Sequence, residues 1–240
     1  MENAIYIGLS QQMALRRHMD ITANNLANMT TTAFKSVAPV FQEFLSDEKQ
    51  GTEISFVQDY GMYHDKSVGQ ITGTGRPLDL AISGDGFFSV QTDAGVRYTR
   101  NGNFKLDAEG FITTNSGDFL LDETGATIQM DLANPDIEVA ADGTINLGGQ
   151  QSTKLELMKF ENDQLLKQEG NGYFNPDGAE AEPVEGIKIL QGSLEGSNVN
   201  AILEMTSMIE IMRSYTSAQK LLDAEHDMQM KTIEELPSMN

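Results

Sequence analysis

Residues 201–222 read AILEMTSMIEIMRSYTSAQKLL, and the apolar residues of this stretch recur every three or four positions. That spacing places them on one side of an α-helix. Numbered in heptads, the pattern continues beyond residue 222 with two seam positions. The first seam position holds Ala201, Met208, Tyr215, Leu222 and Leu236, and the second holds Met205, Met212, Gln219, His226 and Ile233. The sequence therefore predicts a long C-terminal helix over residues 198–235, with Ser197 or Asn198 as its N-cap and Pro237 as its stop.

A second helical pattern opens the chain, over residues 3–29. Its apolar residues lie on one side of a helix because they are separated by steps of three and four. They are Ile5, Leu9, Met13, Leu15, Met19, Ala23 and Leu26. Both ends of the chain are therefore predicted to be helical.

The two predicted helices differ in length. At 1.5 Å per residue the C-terminal helix would run roughly 55 Å and the N-terminal helix roughly 40 Å. A seam of about five heptads needs a partner along most of its length, and the N-terminal helix covers only part of it. We expect the rest of the seam to contact other copies of the chain. The alternative is a two-helix hairpin packed on the β-domain of the same chain.

Composition excludes several classes of function. The chain has 36 acidic and 16 basic residues and a net charge of −20, which disfavours binding to nucleic acid or to anionic membranes. It has no cysteine, so disulfides, thiolate catalysis and cysteine metal sites are excluded. A cleavable signal peptide and a transmembrane span are also not expected.

The middle of the chain changes character near residue 77. Residues 36–76 are punctuated by glycines and predict an extended connector with short strands. Residues 77–196 alternate short apolar stretches with turns, which predicts a β-domain of several hairpins. Hairpin turns are predicted at 84–86, 93–95, 107–110, 122–125 and 142–143, strands at 155–160 and 187–190, and an exposed acidic loop at 170–185.

No catalytic or metal-binding constellation stands out. The histidines, His18, His64 and His226, are far apart and lack metal-ligand spacing, so no cofactor or metal is expected. Carboxylates beside turn glycines would fit a secreted carboxylate hydrolase, but turn formation already accounts for them. These carboxylates are Asp79, Asp85, Asp107 and Asp122. The glycine-rich residues 73–77 open no helix, which disfavours a nucleotide site.

Sequence motifs at both ends resemble those of the bacterial flagellar axial proteins, the rod and hook family. The N-terminal motif is ANNLAN at 23–28 followed by TTAFK at 31–35, and its counterpart is LEGSNVN at 194–200. Residues 74–82, 84–88 and 99–104 are similar to β-domain segments of the rod proteins. The likeness is greatest to proximal-rod members, and the distal-rod type is the alternative. Ala33 replaces a glycine that is common in the family, so we expect its backbone to avoid positive φ values.

The resemblance implies an α+β fold, in which the terminal helices form a discontinuous coiled-coil inner domain (1–35 and 197–240) and the β-domain lies outside. It implies a structural subunit rather than an enzyme, assembled with itself and other rod proteins into a hollow drive shaft across the periplasm. It further implies delivery by the flagellar type III export apparatus, with no nucleic-acid partner and no membrane insertion.

The expected assembly interface combines residues of both terminal helices. It consists of Ile5, Leu9, Leu15, Met19, Asn24, Asn25, Leu26, Asn28, Met205, Met208, Met212, Tyr215 and Leu222. For the three asparagines two roles remain open. Their amides can cap the end of the helix, or they can bond to a neighbouring subunit.

Overall fold

A computed structural model describes residues 2–47, 53–131, 137–147, 151–161, 166–184 and 186–235. The chain forms two compact units, each built from separate stretches of sequence. The helical unit comprises Met1–Met29, Ser36–Asp65 and Val199–Asn240, and the β unit comprises Thr30–Lys35 and Lys66–Asn198. The predicted α+β class, with a helix at each end and a β-rich middle, is confirmed.

The helical unit contains the two predicted terminal helices, α1 (Glu2–Ala27) and α2 (Ala201–Glu235). The N-cap of α2 is Asn200, two residues after Asn198 and three after Ser197, so that part of the prediction is wrong. The Asn200 Oδ1 accepts the backbone N–H groups of Ile202 and Leu203 at 3.1 and 3.3 Å. These N–H groups have no partner within the helix, which is why an asparagine is favoured there. Leu236 and Pro237 lie outside the described residues.

A long two-stranded ribbon completes the helical unit. Strands β1 (Val37–Asp47) and β2 (Glu53–His64) pair antiparallel along their whole length, from Val37 opposite His64 to Asp47 opposite Glu53. The expectation of only short strands in this region is therefore wrong. The apolar pattern is weak because a two-stranded ribbon has no second layer of its own to cover both faces.

The β unit is built from short antiparallel strands. The strands of this unit are β3 (Ile71–Gly73), β4 (Leu80–Ser83), β5 (Phe87–Thr92), β6 (Gly95–Thr99), β7 (Phe104–Leu106), β8 (Ile112–Thr114), β9 (Phe119–Leu120), β10 (Ile137–Val139), β11 (Thr144–Leu147), β12 (Gln151–Lys154), β13 (Leu157–Phe160), β14 (Lys167–Gln168), β15 (Tyr173–Asn175), β16 (Ala181–Pro183), β17 (Lys188–Gln191) and β18 (Ser193–Glu195). In the described residues, nine of these strands form the main sheet, in the order β14-β15-β6-β5-β9-β8-β7 with β13 beside β5 and β16 beside β13.

The core of the β unit is apolar and closely packed. Phe88 and Phe104 are fully buried, and their rings meet edge to face with centroids 5.3 Å apart. A second cluster groups Phe87, Phe160 and Phe174. Burial of these side chains is the main force that folds the unit, since each contributes roughly 1.5–3 kcal/mol.

Most of the predicted hairpin turns are confirmed. The turns at 93–95, 107–110 and 142–143 connect paired strands, and the turn at 122–125 is closed by a bridge between Leu121 and Thr127. Aspartates form these turns as expected: Asp107 accepts the N–H groups of Glu109 and Phe111, and Asp122 accepts those of Thr124 and Ala126.

Two predictions in the β unit are wrong. The turn at 84–86 does not close a hairpin, because β4 pairs with β17 near the other end of the unit. The predicted acidic loop at 170–185 contains β15 and β16, and Tyr173 and Phe174 of β15 are buried. The sequence conceals these strands because each has only three residues and the exposed Glu180 and Glu182 lie in or beside them.

Ala33 also departs from expectation. Its φ is +56°, in the left-handed region that we expected it to avoid. The backbone around it is held by long-range hydrogen bonds, since the Ala33 N–H donates to the Glu195 carbonyl at 2.8 Å and the Asn198 N–H donates to the Phe34 carbonyl at 3.2 Å. Tertiary hydrogen bonds therefore hold an alanine where glycine would be less strained.

Glu195 lies at the centre of a buried ionic cluster in the β unit. Its carboxylate accepts from Lys35 Nζ at 2.6 Å, Arg100 Nε at 3.0 Å and the Gly69 N–H at 3.0 Å. The side chains of Glu195, Lys35 and Arg100 are all nearly inaccessible to solvent. Burial raises the pKa of the Glu195 carboxyl, but Arg100, Lys35 and the Gly69 N–H outweigh it, and the net pKa lies below the ordinary value.

We predict that Glu195→Gln lowers the free energy of unfolding of the β unit by about 3–5 kcal/mol, because it leaves two buried cations without a counter-charge. The control is Glu182→Gln, since Glu182 pairs with Lys159 at 3.6 Å on the surface and should contribute less than about 1 kcal/mol. Urea unfolding at pH 7 followed by circular dichroism measures both. Equal midpoints for the two variants would contradict a stabilising role of the cluster.

The same cluster predicts sensitivity to acid. Because the pKa of Glu195 is lower in the folded chain, its stabilisation is present above the pKa of the unfolded chain and is lost as pH falls through the folded-state pKa. At pH values below about 5, the urea concentration at the unfolding midpoint should therefore decrease, and it should decrease less for Glu195→Gln than for the native chain. Parallel pH curves for the two proteins would contradict this assignment.

Gly102 provides a test of backbone packing. A Cβ on this residue would lie 1.7 Å from the Leu80 carbonyl oxygen, whereas one on Gly170 would have no neighbour within 4 Å. We predict that Gly102→Ala destabilises the β unit by more than about 3 kcal/mol, because the backbone of Leu80 has to move. Gly170→Ala is the control and should change the free energy of unfolding by less than about 1 kcal/mol. A thermal unfolding midpoint of Gly102→Ala equal to that of the control would show that the close approach is relieved at no cost.

Candidate assembly interface

Helices α1 and α2 pack against each other and run antiparallel. Gly8 lies beside Leu222, and Asn25, near the other end of α1, bonds to Glu204. The contact at Gly8 is close, since a Cβ on this residue would lie 2.6 Å from Leu222 Cδ2. Glycine therefore allows the two helices to approach each other at this end of the pair.

The face of α2 that packs on α1 differs by one position from the predicted seam. At the predicted first seam position, Ala201, Met208, Tyr215 and Leu222 are all partly buried. The second position falls on residues 204, 211, 218 and 225, of which Ile211 and Ala218 are the most buried. Met205 and Met212, which were predicted at this position, are 46% and 53% exposed, and Gln219 and His226 are exposed as well. The side chain of Ile233 is outside the described set.

A polar contact explains this difference. Residues 204 and 205 satisfy helical spacing from Ala201 equally well, and the sequence favours Met205 because the other choice would bury a glutamate. In the structure the Glu204 carboxylate is accommodated because it accepts a hydrogen bond from Asn25 Nδ2 at 3.3 Å. Because Asn25 supplies this hydrogen bond, Glu204 avoids the free-energy cost of burying a carboxylate without a partner, which is the cost that favoured Met205 in the predicted seam.

Asn25 also joins α1 to the ribbon. Its Nδ2 donates to the Val37 carbonyl at 2.8 Å, and its Oδ1 accepts the Val37 N–H at 3.0 Å. The side chain is only 3% exposed. It therefore satisfies both backbone groups of the first residue of β1, as a neighbouring strand would.

The other two asparagines of the motif have different environments. The Asn28 side chain bonds within the end of α1: its Nδ2 donates to the Asn24 carbonyl at 2.9 Å, and the same carbonyl accepts the Asn28 backbone N–H at 3.1 Å. Asn24 is exposed. Within the chain, Asn28 bonds at the end of its own helix and Asn25 links α1 to β1. A contact of the three asparagines with a neighbouring subunit stays a prediction.

The remaining predicted interface residues divide by exposure. Those on the face between the helices are partly buried, and they are Ile5, Leu15, Met19, Leu26, Met208, Tyr215 and Leu222. Leu9 is 48% exposed and, like Met205 and Met212, remains accessible. The interface prediction therefore contains residues of two kinds, those that join α1 to α2 and those that the folded chain leaves uncovered.

Several exposed apolar residues were not among the predicted interface residues. Tyr6 and Met13 on α1 are 62% and 66% exposed, and Ile202 and Ile209 on α2 are 73% and 53% exposed. The sequence signal that could have identified them is a second apolar stripe beside the first on each helix, at spacings of three and four.

Neither described helix is long and apolar enough to cross a membrane. Within the same part of the chain, no group of three or more histidine, aspartate or glutamate side chains is placed to hold a metal ion.

Comparison with known protein families agrees with the terminal motifs. Residues 5–35 match the family "Flagella basal body rod protein", residues 81–147 match "Flagellar hook protein FlgE/F/G D1 domain", and residues 190–235 match "Flagellar basal body rod FlgEFG protein C-terminal". These matches include both terminal helices and much of the β unit.

Full-length relatives carry the same description. The chain is 38% identical to the flagellar basal-body rod protein FlgF of Caulobacter vibrioides, with 100% of both chains covered, and 35% identical to FlgF of Rhizobium meliloti, with 98% of both covered. It is 27% identical to the flagellar basal-body rod protein FlgG of Bacillus subtilis over 97% of this chain and 98% of the relative. The chain therefore belongs to the flagellar basal-body rod protein family and is a structural rod subunit that resembles FlgF.

Proposed function

We propose that this chain occupies the proximal part of the rod and assembles helically through its terminal helices into a hollow drive shaft. The observation that carries the proposal is the number of large apolar side chains that α1 and α2 leave exposed. Soluble monomers rarely leave contiguous apolar patches uncovered, and such patches commonly mark contact surfaces. The relatives are named as rod proteins, which disfavours a carboxylate hydrolase.

The proposal assigns a separate structural role to each part of the sequence. Residues 1–35 and 197–240 would form the inner coiled-coil domain, residues 77–196 the outer β-domain, and residues 36–76 would join them. The burial of Ala201, Met208, Tyr215 and Leu222 against α1 supports the coiled coil, because a first seam position of this kind is what such packing requires.

Delivery is a further part of the proposal. We infer that the chain reaches the growing rod through the flagellar type III export apparatus, without a cleaved signal peptide, and that the assembled subunits span the periplasm without inserting into a membrane. The family supports this inference through its location in the basal body.

Methionine suits the proposed contact. Met205 and Met212 have flexible, polarisable side chains that adapt to slightly different neighbours. In a helical assembly such adaptation is useful where one surface meets more than one kind of subunit.

We predict that Met212→Asp blocks incorporation into the rod while the chain remains folded. Met212 is 53% exposed, so the aspartate should not disturb the folded chain, but burial of its charge against a neighbour is unfavourable. The expected result is a loss of about tenfold or more in the amount of subunit found in purified basal bodies, with a matching loss of motility.

The matched control is Val96→Asp, which places the same charge on an exposed apolar residue of the β unit. It should leave incorporation and motility close to normal. Normal motility of Met212→Asp, or a defect confined to Val96→Asp, would overturn assembly through the terminal helices.

Asn25 tests a separate point, namely whether the asparagine motif stabilises the subunit or contacts its neighbours. Because Asn25 is buried and bonds both backbone groups of Val37, we predict that Asn25→Ala lowers the free energy of unfolding by about 1–3 kcal/mol. Asn24→Ala is the control and should change it by less than about 0.5 kcal/mol. Urea unfolding of the purified chains measures both. A stable Asn25→Ala chain that fails to assemble would instead make Asn25 a contact between subunits.

A further inference from the structure

Two apolar patches lie on the outer sides of α1 and α2, away from the face on which the helices pack together. The α1 patch consists of Tyr6, Leu9 and Met13, which are 62%, 48% and 66% exposed. The α2 patch consists of Ile202, Met205, Ile209 and Met212, which are 73%, 46%, 53% and 53% exposed. In each patch the residues are three or four positions apart, so they form one stripe along the helix.

The two patches lie at opposite ends of the helical pair. The helices are antiparallel, with Gly8 beside Leu222 and Asn25 beside Glu204. The α1 patch, near the start of α1, therefore lies beside the middle of α2, whereas the α2 patch, near the start of α2, lies beside the end of α1. One copy of the chain therefore presents an uncovered apolar surface at each end of the pair.

The spacing of one patch mirrors that of the other. Read backwards along α1, residues 13, 9 and 6 are separated by four and then three positions. Read forwards along α2, residues 205, 209 and 212 are separated by the same two steps. An antiparallel contact between the stripes would therefore set Met13 against Met205, Leu9 against Ile209 and Tyr6 against Met212.

We propose that the α1 patch of one copy binds the α2 patch of the next copy in this antiparallel register. The inference rests on the proposed function, assembly through the terminal helices, and names the surfaces and the register that perform it. The occupant of each patch is a second copy of this chain, because the α1 patch matches Met205, Ile209 and Met212 of the α2 patch in apolar character and in spacing.

The orientation follows from the polarity of an open assembly. If all copies point the same way, α1 of one copy and α2 of its neighbour are antiparallel, as they are within the chain. The stripes also fit in a parallel register, with Tyr6 against Ile202. A parallel contact would require the two copies to be inverted, and an inverted pair closes on itself as a dimer.

Charge is compatible with the antiparallel register. The residues that continue the α1 stripe are Arg16 and Asp20. The register sets Arg16 against Ile202, at the edge of the α2 patch. It sets Asp20 against residue 198, which precedes the start of α2. No charged residue of the stripe is therefore placed against the centre of the opposite patch, where it would lose its hydration. The stem of Arg16 can cover Ile202 while its guanidinium remains in water.

The register also defines a displacement. Within the chain Gly8 lies beside Leu222, whereas between copies it would lie beside Glu210. The difference is about twelve residues, so neighbouring copies would be shifted by about 18 Å along the helix axes. A contact between two different patches with such a shift does not close, and it therefore propagates into a helical array.

Cysteine cross-linking tests the register directly, since the native chain contains no cysteine. Cells would co-produce a Tyr6→Cys chain and a Met212→Cys chain that carry tags of different mass. Basal bodies would be extracted and mildly oxidised, and the disulfide-linked heterodimer would be measured on a non-reducing gel. The matched comparison pairs the same Tyr6→Cys chain with Ile202→Cys, and the control pairs it with Leu221→Cys, which is 65% exposed but outside the patch.

In the proposed register Tyr6 faces Met212, and Ile202 lies about 15 Å farther along α2, beyond the reach of a disulfide. We therefore expect at least about fivefold more heterodimer with Met212→Cys than with Ile202→Cys or Leu221→Cys. Dominance of the Ile202→Cys product would overturn the antiparallel register. Absence of any excess, with all variants incorporated normally, would assign the patches to a different chain and overturn the inference, although assembly through the helices would stand.

Discussion

The pairing of the beginning of the chain with its end is the constraint on which both units depend. In the helical unit α1 packs against α2. In the β unit Ala33 bonds to Glu195, β3 pairs with β18, and β4 pairs with β17. These contacts are nested, so each joins a segment early in the chain to one late in the chain. Neither unit can be completed until most of the chain is present, and contacts of such long sequence separation are slow to form.

The buried ionic cluster shows how specific this closure is. Lys35 and Glu195 are separated by most of the sequence, yet their charged atoms lie 2.6 Å apart and are nearly inaccessible to solvent. A buried ion pair contributes little net stability compared with apolar packing, but removal of one partner is costly. The cluster therefore discriminates strongly against alternative pairings of these two segments, in which a charge would be buried alone.

The terminal helices have two sets of apolar residues, one buried and one exposed, and we propose that they serve different purposes. One set joins α1 to α2 within the chain, and Gly8, Leu222 and Ala218 belong to it. The other set remains exposed on the first turns of each helix. We expect a substitution in the first set to disturb folding, and one in the second set to leave the subunit folded while weakening its proposed contacts. Under this proposal, different residues of the same helices serve folding and assembly.

The sequence alone determined the two helices, most turns of the β unit and the resemblance to axial proteins, because these depend on local periodicity, on turn chemistry and on short motifs. It did not determine which strands pair at a distance, and for that reason the turn at 84–86 was misread. The segment that contains β15 was misread because exposed acidic residues follow this short strand. It also could not choose between Glu204 and Met205 for the α2 seam, since both fit the helical period. Tertiary structure decided that choice through Asn25, which hydrogen-bonds the carboxylate and so allows a glutamate to lie where an apolar residue was expected. Likewise, Ala33 has a positive φ because distant backbone groups hold it there, and no local pattern encodes that constraint.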